Sequence, residues 1–315
     1  MIQNLTRQAL AVALADDGAA ADVSAHLNAA IPYGTIYYVC STNGRDGAGA
    51  GLTTGLPFAT IDFAIGRCEA SKDDRIFVLP GHAENVATAG AITADVAGIS
   101  IIGLGNGSNK PTLSFSGTAG TFAISANNVT VRNIRVTSTI DEVVKMFNVT
   151  GAYVTIENVE HFETASCQTL QFLLASAAAD YLTVRNCYHY QNNVAAGTQK
   201  WIELVGNDNA IISDNVFILK LKNEAASHII SGSTAVVNAT ITRNQFLLSG
   251  GTSQTTVVNC VTGSTGIISY NVAGSSTGVA TGGAFTGDAM YMFENKWADT
   301  AAAGGLLAPA VDTDT

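Results

Sequence analysis

A short motif that ends in asparagine recurs along the chain at nearly constant spacing. It reads VTVRN at residues 129–133, VTIEN at 154–158 and LTVRN at 182–186, and variants of it continue to the end of the chain. The closing residues are Asn133, Asn158, Asn186, Asn215, Asn244, Asn271 and Asn295. The intervals of 25, 28, 29, 29, 27 and 24 residues indicate a repeat architecture, in which each unit packs on its neighbours.

Each repeat carries a second apolar alternation, such as TFAIS at residues 121–125 and HIISG at 228–232. Alternation with period two predicts short strands. No repeat holds a 10–15-residue helical pattern, which argues against βαβ units, and the leucine-rich-repeat signature is absent. About 27 residues suit three short strands with their turns, so the spacing predicts an all-β parallel β-helix whose coils stack ~4.8 Å apart.

The recurring asparagine has a structural explanation in such a coil. Asparagine tolerates the left-handed conformation of a sharp corner, and stacked amides bond to one another as a ladder. A row of ligand-binding amides is the alternative. The buried apolar residue stands two before Asn133 but three before Asn215 and Asn244, which predicts that the corner shifts by one residue near position 210.

At the position before the asparagine, the sign of the charge alternates over five consecutive repeats. The residues there are Arg132, Glu157, Arg185, Asp214, Arg243, Tyr270 and Glu294. Stacked in register, each carboxylate would lie between guanidinium groups about 5 Å above and below. Such a charge ladder lowers the pKa of Glu157 and Asp214, which makes both poor general acids.

The segment from residue 36 to residue 84 resembles the opening of many right-handed parallel β-helix proteins. Their shared pattern is a strand, an N-G-x-D-G loop, P-F-x-T-I before a short helix, and a strand ending in P-G-x-x-E. The matching residues are Tyr38, Asn43, Gly44, Asp46, Pro57, Phe58, Thr60, Ile61, Pro80, Gly81 and Glu84. The glycine spacing at 41–55, with no Lys after Gly51 and Asp46 as its sole carboxylate, argues against a phosphate or calcium site. The resemblance implies that this stretch is a connecting loop. It also implies a capping helix over about 58–70.

The expected apolar stripe of this capping helix consists of Ile61, Ala64, Ile65 and Cys68. The domain organisation that follows is an N-terminal arm at 1–34, the right-handed parallel β-helix at 35–300 and a tail at 301–315. Residues 3–15 and 22–30 of the arm are expected to be helical. They would dock to a shell lattice or to sister chains, with an unstructured leader as the alternative.

Within the same group, residues 81–113 resemble bacteriophage virion proteins that carry a short β-helix. The resemblance implies a non-enzymatic capsid decoration (cement) protein, commonly a homotrimer, bound to the major capsid protein on the virion surface and made in the host bacterial cytoplasm. A tail-spike or receptor-binding β-helix with depolymerase or lyase activity is the alternative. A free polysaccharide lyase is disfavoured, because the start of the chain lacks the pattern of a secretory signal.

Catalytic residues and cofactors are not expected. The carboxylates Asp141, Glu142, Glu160, Glu163, Glu203 and Asp208 do not recur with a matching partner one coil away, as a two-carboxylate hydrolase site requires. The two tryptophans, Trp201 and Trp297, offer few platforms for a sugar. His161 and His189 each follow a ladder asparagine by three residues and are expected to stack outward, with a metal site or pH switch as the alternative.

Composition excludes further classes of function. The net charge is −10, Lys and Arg total 15 and no basic run occurs, so direct nucleic-acid binding is not expected. No stretch approaches 18 apolar residues, so no membrane span is expected. The five cysteines, Cys40, Cys68, Cys167, Cys187 and Cys260, lack metal-site spacing and are expected to be reduced.

Overall fold

The computed structural model describes residues 34–163, 167–193, 197–220, 227–248, 256–275, 284–298 and 308–309. This part of the chain is an all-β parallel β-solenoid with coils of about 28 residues, which confirms the predicted fold class. Parallel crossover connections are right-handed in almost all proteins, in keeping with the expected hand. The predicted arm helices at 3–15 and 22–30 and nearly all of the tail lie outside the described residues.

Each coil contributes one strand to each of three sheets, visited in the order sheet 1, sheet 3, sheet 2. Sheet 1 contains β1 Ile36–Val39, β2 Arg75–Val78, β5 Ser100–Gly103, β8 Thr130–Arg132, β11 Thr155–Glu157, β14 Thr183–Arg185, β17 Ile211–Ser213 and β20 Ala239–Thr242. Sheet 2 contains β4 Ile92–Ala94, β7 Phe122–Ile124, β10 Phe147–Val149, β13 Leu173–Ala175, β16 Lys200–Val205 and β19 His228–Thr234. The long strands β22 Val258–Ser269 and β24 Phe285–Phe293 run through the corner and join these two sheets.

Sheet 3 follows the asparagine corner. It contains β3 Ala83–Val86, β6 Thr112–Phe115, β9 Arg135–Ser138, β12 Glu160–Glu163, β15 Tyr188–Gln191, β18 Val216–Leu219, β21 Gln245–Leu248, β23 Val272–Ser275, β25 Lys296–Ala298 and β26 Ala308–Pro309. The strands of sheet 3 pair in parallel except β26, which pairs antiparallel with β25. A short 3-10 helix at Gly107–Asn109 precedes β6.

The core is a set of inward columns, because alternate residues of every strand point into the coil. Val131, Ile156 and Val184 follow one another in register on sheet 1 and are fully buried. Phe122 and Phe147 lie in register on sheet 2, with ring centroids 5.4 Å apart. Stacking identical or similar side chains in this way buries apolar surface inside the coil, so no second layer of structure is needed. The chain, of which 47% is hydrophobic, forms its core from these columns.

The first coil is capped by a short helix, α1 Ile61–Ile65. The Thr60 side chain caps it by accepting a hydrogen bond from the Phe63 N–H. Ile61, Ala64 and Ile65 are buried as the stripe predicted. The predicted range 58–70 was too long, because the chain leaves the α-helix at Gly66 and continues in tight turns.

The glycine-rich loop anchors this helix. The Asp46 carboxylate accepts hydrogen bonds from the Ala59 N–H at 2.8 Å and from the Thr60 N–H at 3.2 Å and hydroxyl at 2.8 Å. Gly51 has a φ of 89°, and a Cβ there would lie 2.0 Å from the Phe58 ring. The loop therefore has a structural explanation in which it carries β1 to the helix and fixes the helix N-terminus.

All five cysteines are free thiols. Burial raises the pKa of Cys68 and Cys187 to about 12 and that of Cys260 to about 11. These thiols stay protonated at neutral pH, so they behave as small apolar side chains.

Candidate functional site

The last four ladder asparagines form a buried amide ladder. Asn215 Nδ2 donates to Asn244 Oδ1 at 2.9 Å, and Asn244 Nδ2 donates to Asn271 Oδ1 at 3.0 Å. Asn271 Nδ2 continues to Asn295 Oδ1 at 3.0 Å. Each side chain points into the core and is at most 1% exposed. No ligand can reach these amides, which argues against the alternative of a ligand-binding row.

The first three ladder asparagines occupy a different position. Asn133, Asn158 and Asn186 have φ values of 57°, 53° and 55° and form the left-handed corner themselves. Asn158 Nδ2 donates to Asn133 Oδ1 at 3.0 Å on the outside of the coil. The seven ladder asparagines therefore do not form one ladder, because Asn186 lies one residue out of register with Asn215.

The predicted one-residue shift of the corner therefore falls between Asn186 and Asn215. In the later coils the left-handed corner is formed by the residue before the asparagine. These corner residues are Asp214, Arg243, Tyr270 and Glu294, with φ between 54° and 58°. The shift moves the amide from solvent into the core, because consecutive residues at the corner point to opposite sides.

The same shift divides the charge ladder. Glu157 lies in register between Arg132 and Arg185, and Arg185 approaches it at 3.3 Å. Asp214 and Arg243 lie one position later, at the corner, and form a two-pronged ion pair of 2.7 and 2.8 Å. The prediction that Asp214 stacks in register with Arg185 was wrong.

The charge ladder also ends earlier than predicted. Glu294 follows Tyr270 at the corner, so it has no cation in register directly above it. The hydrogen bond from Arg243 lowers the pKa of Asp214, and the nearby charge of Arg185 adds to this effect. Asp214 therefore remains ionised in mildly acidic solution, as the sequence predicted.

A second corner, between sheets 2 and 1, carries two stacked tyrosines. The rings of Tyr153 and Tyr181 are 4.5 Å apart and inclined by 5°. Both residues have left-handed φ values, 58° and 57°, which are rare for bulky side chains. Asn128 and Asn209 occupy this corner in the coils above and below with nearly the same φ. The aromatic pair thus replaces the usual asparagine in two adjacent coils.

On the outer side of sheet 3, Glu160 lies between two cations. Lys110 Nζ is 2.9 Å from Glu160 Oε1, and Arg135 Nη2 is 2.9 Å from Glu160 Oε2. Burial alone would raise the pKa of Glu160, but the hydrogen bonds and charges of Lys110 and Arg135 lower it. Phe162 and Tyr188 complete an open depression of about 410 Å³ beside this cluster.

His161 and Glu163 point into the core instead of outward. His161 Nε2 lies 3.1 Å from Glu163 Oε1, and both side chains are fully buried. Glu163 also accepts hydrogen bonds from the Ser138 hydroxyl at 2.8 Å, and from the N–H (2.9 Å) and the hydroxyl of Thr169. Burial tends to raise the pKa of Glu163, yet the charge of His161 and these hydrogen bonds lower it.

His189 follows His161 in register, as the sequence predicted, but the expected outward stack was wrong. Its ring lies flat on Phe217, with centroids 4.7 Å apart and planes inclined by 4°. Trp201 packs edge-on against His161 at 4.7 Å, and the whole group is sealed from solvent. Burial, reinforced by the charge of His161, lowers the pKa of His189 well below its ordinary value.

The remaining candidate carboxylates are dispersed. Glu203 points outward on sheet 2, where Gln171 Nε2 donates to it at 2.8 Å and Lys200 Nζ at 2.7 Å. Glu142 Oε1 accepts from the Gly197 N–H at 3.1 Å, while Asp141 lies in a bend and Asp208 forms an isolated bridge with Val237. Within the described ranges, no group of three or more His, Cys, Asp or Glu side chains has metal-binding geometry.

His82 belongs to the cap of the first coil. Its Nδ1 accepts a hydrogen bond from the Ser41 N–H at 3.0 Å, so Nε2 carries the proton shared with Glu84 at 3.0 Å. Glu84 in turn accepts from the Ile61 N–H at 3.0 Å. The P-G-x-x-E segment thus helps, together with Asp46, to fix the N-terminus of α1.

In the described part of the chain, no helix has the length and apolar character needed to cross a membrane. The sequence matches no protein-family model, and no curated protein or solved structure matches it either. The class that the fold defines is the parallel β-solenoid.

Proposed function

We propose that this chain is a non-enzymatic virion protein that decorates a bacteriophage capsid as a homotrimer and stabilises the shell by binding the major capsid protein. One observation carries the proposal: three of the six candidate carboxylates, Glu160, Glu163 and Glu203, are committed to structural partners. Glu160 is held by two cations, Glu163 is sealed in the core and Glu203 is held by Lys200 and Gln171.

The direction of the pKa shifts supports this reading. The pKa values of Glu160, Glu163 and Glu203 are all lowered, in each case against the effect of burial. A general acid needs a raised pKa so that it carries a proton at neutral pH. A column of coils in which Glu160 and Glu203 are paired with neighbouring cations suits a scaffold that binds through shape over many weak contacts.

The proposal is tested by measuring the number of copies of this chain in each purified virion. Quantitative mass spectrometry of virions from the phage that carries this sequence is expected to find hundreds of copies per particle, and removal of the chain is expected to lower the temperature of capsid rupture. A handful of copies per particle would indicate a tail component, and a chain missing from the particles would refute the proposal.

A second candidate function is a tail-spike or receptor-binding module that holds a polysaccharide. It is favoured by the aromatic surface beside Glu160, where Phe162 and Tyr190 stack at 4.9 Å and Tyr188 is 39% exposed. Exposed rings beside charged groups are typical of sugar-binding surfaces. Incubation with acidic polysaccharides, followed by a reducing-end assay and a binding titration of the Phe162→Ala variant, separates this function from the first. Cleavage or Phe162-dependent binding supports the spike.

A further inference from the structure

The outer side of sheet 3 carries an apolar face along the lower half of the solenoid. It consists of Phe162, Tyr188, Tyr190, Val216, Ile218, Leu247 and Val272, at outward positions of successive strands from β12 to β23 that also hold Glu160, Gln245 and Gly274. Phe162, Leu247 and Val272 are 48%, 52% and 41% exposed. We infer that a second copy of this chain covers the apolar face, so that the solenoids associate side by side through sheet 3.

The strand sequences themselves indicate a covered face. β18 reads VFIL, apolar on both sides, while Phe217 and Leu219 alone fill the core. A strand that alternates apolar and polar residues has one solvated face, whereas a continuous apolar run is typical of a strand buried on both. Ile218 and Leu247 are neighbours in register and face outward together. This side of the sheet is therefore suited to contact with another apolar surface.

The other two sheets lack such a column over most of their length. The outward positions of sheet 2 hold Thr93, Ala123, Asn148, Leu174, Glu203, Ser231, Asn259 and Thr286. Those of sheet 1 are apolar in part at its start, with Ile36, Tyr38, Phe77 and Ile102, and then continue with the polar run Ser100, Thr130, Thr155 and Thr183. The apolar face is thus a property of sheet 3 rather than of the coil repeat.

Charge favours a second copy as the occupant. The chain carries a net charge of −10, so two copies repel unless they meet where carboxylates are few. On the outward positions of the described strands of sheet 3, Glu160 is the sole carboxylate, and it is neutralised by Lys110 and Arg135. Lys296 adds a cation below the apolar face. Two acidic chains meet here without carboxylate repulsion.

The size of the apolar face also favours a partner whose length matches that of the solenoid. The apolar face spans five strands, or about 19 Å along the axis at the usual strand spacing. A strand of four residues is about 13 Å long, which sets the width of the apolar face. Its area is therefore far below the ~800 Å² that each partner buries in a stable interface. A second solenoid lying alongside extends the contact over the whole of sheet 3, which a small ligand or a short peptide does not.

This inference deepens the proposed function, since it places the contact of the homotrimer, but its test needs no capsid. The full chain is examined by mass photometry and sedimentation velocity as wild type and as Leu247→Glu. The wild type is expected to be an oligomer, and Leu247→Glu is expected to weaken its association by about tenfold or more. The matched control is Ile211→Glu, which changes an outward aliphatic residue of 41% exposure on sheet 1 and leaves the oligomer intact.

Circular dichroism and thermal unfolding verify that each variant folds. Should Leu247→Glu misfold, Val272→Glu replaces it, because Lys296 lies beside residue 272 in register and stabilises a carboxylate there. A monomeric wild type, or an oligomer that withstands a folded variant, overturns the inference. If the wild type is monomeric and Leu247→Glu weakens capsid binding, the apolar face contacts the shell. Self-association and the homotrimer are then refuted, while the capsid-binding part of the proposed function stands. An oligomer that dissociates in Leu247→Glu but is missing from virions supports the contact and refutes the proposed function.

Discussion

The backbone N–H of Cys187 donates a hydrogen bond to the amide oxygen of Asn215, 2.9 Å away in the next coil. The buried amide ladder thus begins one coil before its first asparagine. The Cys187 thiol already points towards the carbonyl of Ile156, 3.8 Å away, which corresponds to the carbonyl of Val184 that Asn215 Nδ2 reaches at 3.1 Å. Position 187 therefore has the partners that an asparagine side chain needs.

We expect Cys187→Asn to change the free energy of unfolding by less than about 1 kcal/mol, because the new amide finds a donor and an acceptor in place. Val159→Asn, the same inward position one coil earlier, is expected to cost about 3 kcal/mol, because its amide is buried beside Cys187 without an amide partner. Urea unfolding followed by circular dichroism measures both. Equal losses in the two variants would show that the ladder does not propagate.

Removal of a central rung tests how much the buried ladder stabilises the fold. Asn244→Ala leaves the N–H and Nδ2 of Asn215 without their shared acceptor and takes a donor from Asn271. The loss is expected to be about 3–5 kcal/mol, since each unsatisfied buried group costs about 1–3 kcal/mol. Asn158→Ala, at an exposed left-handed corner, is expected to cost about 1 kcal/mol. Comparable losses from the two substitutions would contradict a special role for the buried ladder.

The repeat spacing was enough to predict the fold and the shift of the corner, because both follow from where apolar residues stand relative to the asparagine. The two His side chains were placed on the wrong side. Their column reads Val136, His161, His189, Phe217 and Phe246, and its apolar members carried a signal that this position faces the core. A rule that places every polar side chain on the outside misplaces a polar residue that belongs to a buried apolar column.

The length of the capping helix and the apolar face were not predicted either. The stripe from Ile61 to Cys68 has helical spacing, but a tight turn satisfies the same spacing after Gly66, so sequence alone does not locate the helix end. Alternation with period two predicts one buried side per strand, so it does not reveal the second apolar side that contains Ile218 and Leu247. The continuous apolar run of β18 was the available signal.

The buried His189 predicts a loss of stability in mild acid. The folded chain keeps its ring neutral, whereas the unfolded chain protonates it below about pH 6.5. The unfolded state then binds more protons, so the free energy of unfolding falls as the pH falls, by at most about 1.4 kcal/mol per pH unit for this one group. The lowered carboxyl pKa of Glu163 acts in the same direction at lower pH, so the interval between pH 6.5 and 5 isolates the histidine contribution.

His189→Phe is expected to remove this slope and to stabilise the fold, because a phenylalanine continues the column of Phe217 and Phe246, whose rings stack at 5.1 Å. His189→Gln is the control that removes the titration without restoring the stack, so it should flatten the slope while lowering stability. Free energies of unfolding measured at several pH values give both results. A slope that persists in His189→Phe would assign the acid sensitivity to other groups, such as His228, whose pKa is also lowered by burial.

At the second corner, the stacking of the two tyrosine rings is favourable, whereas their left-handed backbone conformation is strained. Replacing either Tyr153 or Tyr181 by Asn installs the residue used by the coils above and below, which relieves the left-handed strain but removes the stack. We therefore expect each single variant to change stability by less than about 1 kcal/mol, and a double-mutant cycle to give a favourable coupling of about 0.5–1.5 kcal/mol. Thermal or urea unfolding of the four proteins supplies the cycle. A coupling of zero would mean that the rings are adjacent because the coils stack, and that their contact adds nothing to the stability of the corner.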